Sequence, residues 1–239
     1  MSSDRPEPKT NWRNLCPKII LEGTRMTYKT EIAFGLNEHP RFVGPRKYRY
    51  HSPIISAEWG GFLNAPWGEC LITFSPERET LALETYELWL QLFEHQPYLS
   101  YIVDRFHLST QVYQWLYRHR KYDFTELEER LYQLGFRLVF CHRDPDTFVE
   151  ARRERLKVSG NPSQYDDLTL IMREQELLAS YAEKSILPKF YVDITDGDLR
   201  SKMEAIVGWY EATGGLTVDC DRVRPVVNEK LPSVVESAA

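Results

Sequence analysis

From Glu22 to Thr30 the chain reads Glu-Gly-Thr-Arg-Met-Thr-Tyr-Lys-Thr. Apart from one position this is G-x-x-x-x-G-K-[ST], the spacing of a phosphate-binding loop set between a strand and a helix. Such a loop needs backbone N–H groups curled around an anion, a lysine on the outer phosphates and a hydroxyl on Mg²⁺. Gly23, Thr24, Arg25, Met26, Thr27 and Tyr28 would form the cradle, and Lys29 and Thr30 fit the last two roles. Tyr28 stands where the pattern has its second glycine, and it resists the backbone angles that glycine adopts freely. It can hold the loop in a less curled shape, or turn its ring outward as part of the site. The expectation is the first, a strained or opened loop with modest affinity.

Two further groups could act on the same anion. Asp104-Arg105-Phe106 ends an apolar run. An acid there can hold hydrated Mg²⁺ or take a proton from an attacking hydroxyl, and the arginine beside it can clamp an acceptor phosphate. Arg143 and then Arg152, Arg153 and Arg155 lead into the segment Lys157 to Pro162. Arginines beside a mobile loop can close over a transferring phosphoryl group. Each feature has a plainer reading: a surface Asp-Arg pair, and a solvated helix face balanced by Glu150 and Glu154.

The elements that must position these groups alternate. Lys18 to Glu22 is a short buried strand, followed by strands over Leu99 to Val103, Phe136 to Cys141 and Phe190 to Ile194. Ser75-Pro76-Glu77 has the composition of a helix start, with a capping serine and proline at the first position. That helix runs to about His95, apolar on most sides, and is expected to be deeply packed. Further helices are expected over Val112 to Leu116, Phe124 to Leu134, after Asp144-Pro145, over Leu168 to Lys184 and around Leu199 to Tyr210. Buried strands alternating with helices imply a parallel sheet covered on both faces. Ligands then bind beyond the carboxyl ends of the strands, at Gly23, Asp104 and Cys141 onward.

Composition narrows the function. The 239 residues suit one domain, and the net charge of −5 argues against a protein whose main task is gripping nucleic acid backbone. The four cysteines, Cys16, Cys70, Cys141 and Cys220, form no CxxC pair, so a reducing cytoplasm is the default. No apolar run is long enough for a membrane span, and the N-terminus lacks the apolar centre of a signal peptide. Residues 1–16 read as a loose leader, 17–213 as the domain and 214–239 as a tail that begins where Gly214-Gly215 stops the last helix.

Taken together, these segments resemble thymidylate kinase and its deoxynucleoside kinase relatives. Glu22-Gly23 through Lys29-Thr30 is similar to the family's E-G-x-x-x-x-G-K-T. Asp104-Arg105-Phe106-His107-Leu108-Ser109-Thr110-Gln111-Val112-Tyr113-Gln114 is similar to its D-R-Y-x-x-S-S-x-A-Y-Q signature, and Asp144-Pro145 with Arg152, Arg153 and Arg155 resembles the helix leading to its lid. The resemblance implies a three-layer P-loop kinase fold with a short lid, ATP·Mg²⁺ as donor and a nucleoside or nucleoside monophosphate as acceptor. It implies that Lys29 and Thr30 serve the donor, that Thr30 and Asp104 hold metal, and that Asp104 and Arg105 serve the acceptor. Tyr113 and Gln114 would face the acceptor base, Arg78 would lie near the acceptor, and Arg152, Arg153 and Arg155 would serve the transferring group, with Arg153 among the catalytic residues. A homodimer is left open.

The chain departs from the family at Met26, Tyr28 and Leu108, and through Arg46 to Phe74, with His51, Glu58, Trp59, Trp67 and Glu69. Two other readings therefore stand beside a nucleotide kinase. One is a degenerate, non-catalytic nucleotide-binding protein. The other is a kinase acting on a hydroxyl of a modified nucleotide in DNA, with Tyr50, Trp59 and Trp67 stacking a base.

Overall fold

The computed structural model describes residues 13–43, 52–58 and 69–219. Two short strands, β1 (Arg13–Leu15) and β7 (Thr217–Asp219), pair antiparallel at the chain ends. The main sheet holds β2 (Lys18–Glu22), β3 (Ile54–Ser56), β4 (Tyr101–Asp104), β5 (Arg137–His142) and β6 (Lys189–Asp193). Its order is β3-β4-β2-β5-β6 and every pairing is parallel. β2 is the central strand, and all five of its residues are buried.

Helices cover both faces: α1 (Lys29–Glu38), α2 (Pro40–Val43), α3 (Glu79–His95), α4 (His107–Arg118), α5 (Thr125–Gln133), α6 (Phe148–Leu156), α7 (Leu168–Lys184) and α8 (Leu199–Ala212). The period-two alternation of a strand divides the core. Ile20 packs with Tyr86, Phe93, Val112, Leu131 and Leu178 from α3, α4, α5 and α7. Ile19 and Leu21 face the other way, onto Ile32, Leu36, Ile206 and Tyr210 from α1 and α8. The three-layer α/β architecture expected from the alternating pattern is the one observed. Lys18 and Glu22 are the polar residues of β2, one at each end. The Lys18 ammonium donates to the carbonyls of Pro97 at 2.6 Å and Leu134 at 3.0 Å, and burial lowers its pKa.

Register brings the strand ends into line. Leu21 lies opposite Asp104 on one side and Val139 on the other, and Ser56 lies opposite Asp104. The segments after β2, β3, β4 and β5 therefore emerge on one edge of the sheet, where ligands bind in such folds.

Local expectations differ from the structure in three places. Ser75 does not cap a helix: its hydroxyl donates to Glu69 at 3.1 Å, and a 3-10 turn (Pro76–Arg78) precedes α3. α3 is buried along one stripe only, Ala82, Tyr86, Leu90 and Phe93, while Leu81, Leu88 and Leu92 are exposed, Leu88 by 62%. A helix lying on a sheet buries one face, so leucines on its far side stay in solvent whatever their hydrophobicity. Residues 13–15 and 217–219, assigned by sequence to the leader and tail, pair with each other, and Cys16 N donates to Leu216 O at 2.8 Å. Three-residue strands paired across the whole chain carry no local periodicity to read. Tyr50, His51, Trp59 and Trp67, with most of the leader and tail, lie outside the described residues.

Candidate functional site

A cavity of about 1080 Å³ opens at the carboxyl edge of the sheet. The loop after β2 and the start of α1 form its floor. Glu58, Arg105 and Tyr113 line it as well, as do residues of the segment from Ala151 to Tyr165.

The loop is curled, not opened. Met26 (φ 63°) and Tyr28 (φ 52°), at the positions where the resembling family has glycine, both take the left-handed conformation that glycine favours. For an L-residue this costs roughly 1–2 kcal/mol each, so the expected strain is present although the shape is closed. Internal bonds hold it: Thr27 Oγ1 donates to Thr24 O at 2.7 Å, and Lys29 Nζ donates to Thr24 O at 2.6 Å and Thr27 Oγ1 at 3.2 Å. Gly23, by contrast, is obligatory. A Cβ there would stand 2.3 Å from the Cys141 carbonyl oxygen, and its φ is +150°. Burial, reinforced by the Arg105 charge and opposed by Asp104 and Glu58, pushes the Lys29 ammonium down to about 8.

Beside the loop, Thr30 Oγ1 donates to Asp104 Oδ2 at 2.7 Å. The other carboxylate oxygen, Oδ1, is buried with no hydrogen-bond partner. Burial raises the Asp104 pKa, while Lys29 and the Thr30 bond oppose the shift. An unpaired buried carboxylate oxygen beside a hydroxyl is the hard-oxygen donor set that Mg²⁺ takes when phosphate and water complete its shell. The described residues hold no group of three or more His, Cys, Asp or Glu side chains able to bind a metal alone.

Arg105 also adopts a left-handed conformation, with φ 60°. Glu22 imposes that turn: its Oε1 accepts from Phe106 N at 2.9 Å and Ser109 N at 3.2 Å, and its Oε2 accepts from Ser109 Oγ at 2.5 Å. The acid before Gly23 is thus a buried brace under the Asp104-Arg105 turn. The Arg105 guanidinium lies 3.3 Å from Glu58 and 3.6 Å from Glu174, and Arg25 donates to Glu174 at 2.8 Å. Burial opposes the Arg105 charge, but Glu58, Glu174 and Asp104 outweigh it and hold the guanidinium above its ordinary range. Arg105 in turn holds the Glu58 carboxylate below the usual range, against burial. The sequence marked Glu58 only as part of a divergent segment, with no role, and did not mark Glu174 at all. Glu58 falls in the segment that departs from the family pattern, and Glu174 looks like any mid-helix acid.

The remaining expected residues divide. Tyr113 lines the cavity and stacks on Tyr117, ring centroids 4.5 Å apart, and Arg118, which carried no signal in the sequence, lines it too. Arg155 lines it and bonds Tyr165 Oη at 3.2 Å and Glu31 at 3.4 Å. Gln114 does not line it: its buried amide donates to the carbonyls of Ile72 and Phe74, pinning that turn onto α4. Arg78 sits in the 3-10 turn outside the cavity lining. Arg152 is tied to Tyr165 O and Asp166, and Arg153 is exposed and bonds Glu150 at 2.5 Å. On α6, residues 152 and 155 share a face and both bond Tyr165, and Arg153 points elsewhere; of the three only Arg155 lines the cavity.

The fold that carries this site has a counterpart among solved structures. No protein-family model matches the chain, and no curated protein does. Among solved structures, the YorR protein of Bacillus subtilis in complex with phosphorylated GDP is similar at 20% identity and a TM-score of 0.56, covering 82% of this chain and 96% of its own. Deoxyadenosine kinase from M. mycoides with bound dATP (14% identity, TM-score 0.48, 81% and 99% covered) and shikimate kinase from Bacteroides thetaiotaomicron (15%, 0.47, 83% and 98%) are more remote. The likeness to YorR establishes architecture and leaves the substrate to the site.

Proposed function

We propose that the chain is a phosphotransferase that moves the terminal phosphoryl group of ATP to a nucleoside or nucleoside monophosphate. One observation carries the reading: Lys29 and Thr30 at the end of a curled loop line one cavity with the Arg105–Glu58 pair, and Thr30 bonds Asp104, which is buried behind that lining. YorR, whose fold this chain shares, was solved with a phosphorylated guanine nucleotide, a ligand of the class proposed here.

Mg²⁺ fits the donor set, with Thr30 and Asp104 to hold it, and when bound it supplies charge neutralisation on the donor phosphates. Lys29 contributes a second positive charge from inside the loop, and Arg155 a third from α6. The acceptor oxygen attacks the terminal phosphorus in line, a new P–O bond forms, and the bond to the β-phosphate oxygen breaks to release ADP. Arg105 orients the acceptor. Glu58, kept ionised by Arg105, takes the proton of an acceptor hydroxyl. That role moves the base from Asp104, which is engaged with Thr30, to Glu58.

A product screen of ATP·Mg²⁺ against nucleosides, their monophosphates and single-stranded DNA tests this. Transfer to a nucleoside or monophosphate that falls about 10²-fold or more in Lys29→Ala supports it. Turnover unchanged in that variant overturns it. A non-catalytic nucleotide-binding protein is the second reading, favoured by the inward turn of Lys29 onto Thr24 and Thr27. Tight binding with no product from any acceptor selects it.

A further inference from the structure

The strand order puts the two ends of a phosphoryl transfer on opposite flanks of β2. Asp104 ends β4, Arg105 follows it and Glu58 follows β3 on one flank, and β5 and β6 make the other. In the phosphotransferase reading Lys29 and Thr30 hold the outer phosphates, and the flank free of Arg105 and Glu58, where the nucleoside end of a donor would extend, is that of β5. On that flank the Tyr28 ring meets Arg143, the residue that directly follows β5, with the guanidinium carbon 5.7 Å from the ring centroid.

Arg143 is a fixed group. It is 5% exposed, lies 5.8 Å over the Phe148 ring, and its main chain is clamped on both sides by Gln175, which accepts from Arg143 N at 3.0 Å and donates to Arg143 O at 2.9 Å. Its Nε–H is buried and has no hydrogen-bond partner. Tyr28 lines the cavity and keeps its strained backbone at a position where glycine would be free of cost. Backbone strain held beside a cavity points to a function for the side chain that imposes it.

We propose that Tyr28 is a donor-specificity residue: its ring, backed by the Arg143 guanidinium, is the flat contact on which the donor's nucleobase stacks. The inference rests on the phosphotransferase reading and goes beyond it, because it separates a nucleoside triphosphate from bare polyphosphate as the ligand of this loop. It also reverses the expectation that Tyr28 merely weakens the phosphate cradle.

Calorimetric titration of the full chain with ATP and with inorganic tripolyphosphate, at fixed Mg²⁺, tests it in wild type, Tyr28→Phe, Tyr28→Asn and Tyr28→Gly. Asparagine tolerates the left-handed conformation without supplying a ring, so it separates backbone relief from ring loss. Without the stacking ring, ATP affinity should fall about tenfold in the Asn and Gly variants and hold in Phe. Tripolyphosphate affinity should stay level or rise in all three. ATP binding that tightens in Tyr28→Gly, or ATP and tripolyphosphate affinities that change together, overturns the proposal and leaves the ring a prop for Arg143. Wild-type protein that binds neither ligand overturns the phosphotransferase reading and this inference with it.

Discussion

The Thr30 hydroxyl donates to Asp104 across 2.7 Å, joining the start of α1 to the end of β4 over 74 residues of chain. With Asp104 Oδ1 left unpaired and buried, the pair is committed on one side and open on the other. Asp104→Asn keeps the shape and removes the charge. Nucleotide binding should survive while transfer falls at least about 10²-fold, read in single-turnover assays across a Mg²⁺ titration. Normal transfer in the variant would make Asp104 an ordinary strand-end residue.

The depressed Lys29 ammonium makes nucleotide affinity pH-dependent. With a free-state pKa of about 8, roughly nine-tenths of Lys29 is charged at pH 7 and one-tenth at pH 9. Bound phosphate holds the proton, so ATP affinity should drop about tenfold over that interval, and the drop should vanish in Lys29→Met. Ligand-free stability moves the other way. Between about 8 and 10.5 the unfolded chain holds a proton that the folded chain has lost, so stability rises with pH there. Denaturant unfolding at pH 7 and pH 10 checks the sign.

Glu58→Gln should separate acceptor classes. A hydroxyl acceptor has a proton to surrender and a phosphate acceptor does not. With a nucleoside the variant should lose about 10²-fold in kcat at unchanged KM for ATP. With a nucleoside monophosphate the loss should be within a few fold. Equal loss with both acceptors would limit Glu58 to positioning Arg105.

Glu174 is buried on α7 and neutralises Arg25 from the loop as well as Arg105 from the turn after β4. Removing one charge from a buried pair costs on the order of 3 kcal/mol because the partner stays buried and unpaired. Glu174→Gln should therefore lower the unfolding free energy by that much, seen as a lower urea midpoint at unchanged slope, and saturating nucleotide should restore part of it, since phosphate can take up the released arginines. A midpoint unchanged from wild type would show that solvent already screens the two arginines.

Much of this was legible in the chain itself. Ile19 to Leu21 is an apolar run inside a strand that leads through Glu22 into Gly23, and Lys29-Thr30 opens the next helix. The Asp104-Arg105 pair closes a second strand, and alternating buried runs and helical periods imply a covered parallel sheet. Those signals are local. Each depends on residues within one element and its boundary, so spacing alone carries them. Tertiary structure decided the rest. Register set Ser56 opposite Asp104 and so carried Glu58 to Arg105. Packing turned only one of three closely spaced arginines, Arg155, into the cavity and left Arg153 on Glu150. Two left-handed residues closed a loop that its composition had suggested was open. Charge pairs between residues far apart in the chain, and backbone angles fixed by neighbours such as Thr24, depend on what surrounds them, and a linear pattern does not encode those surroundings.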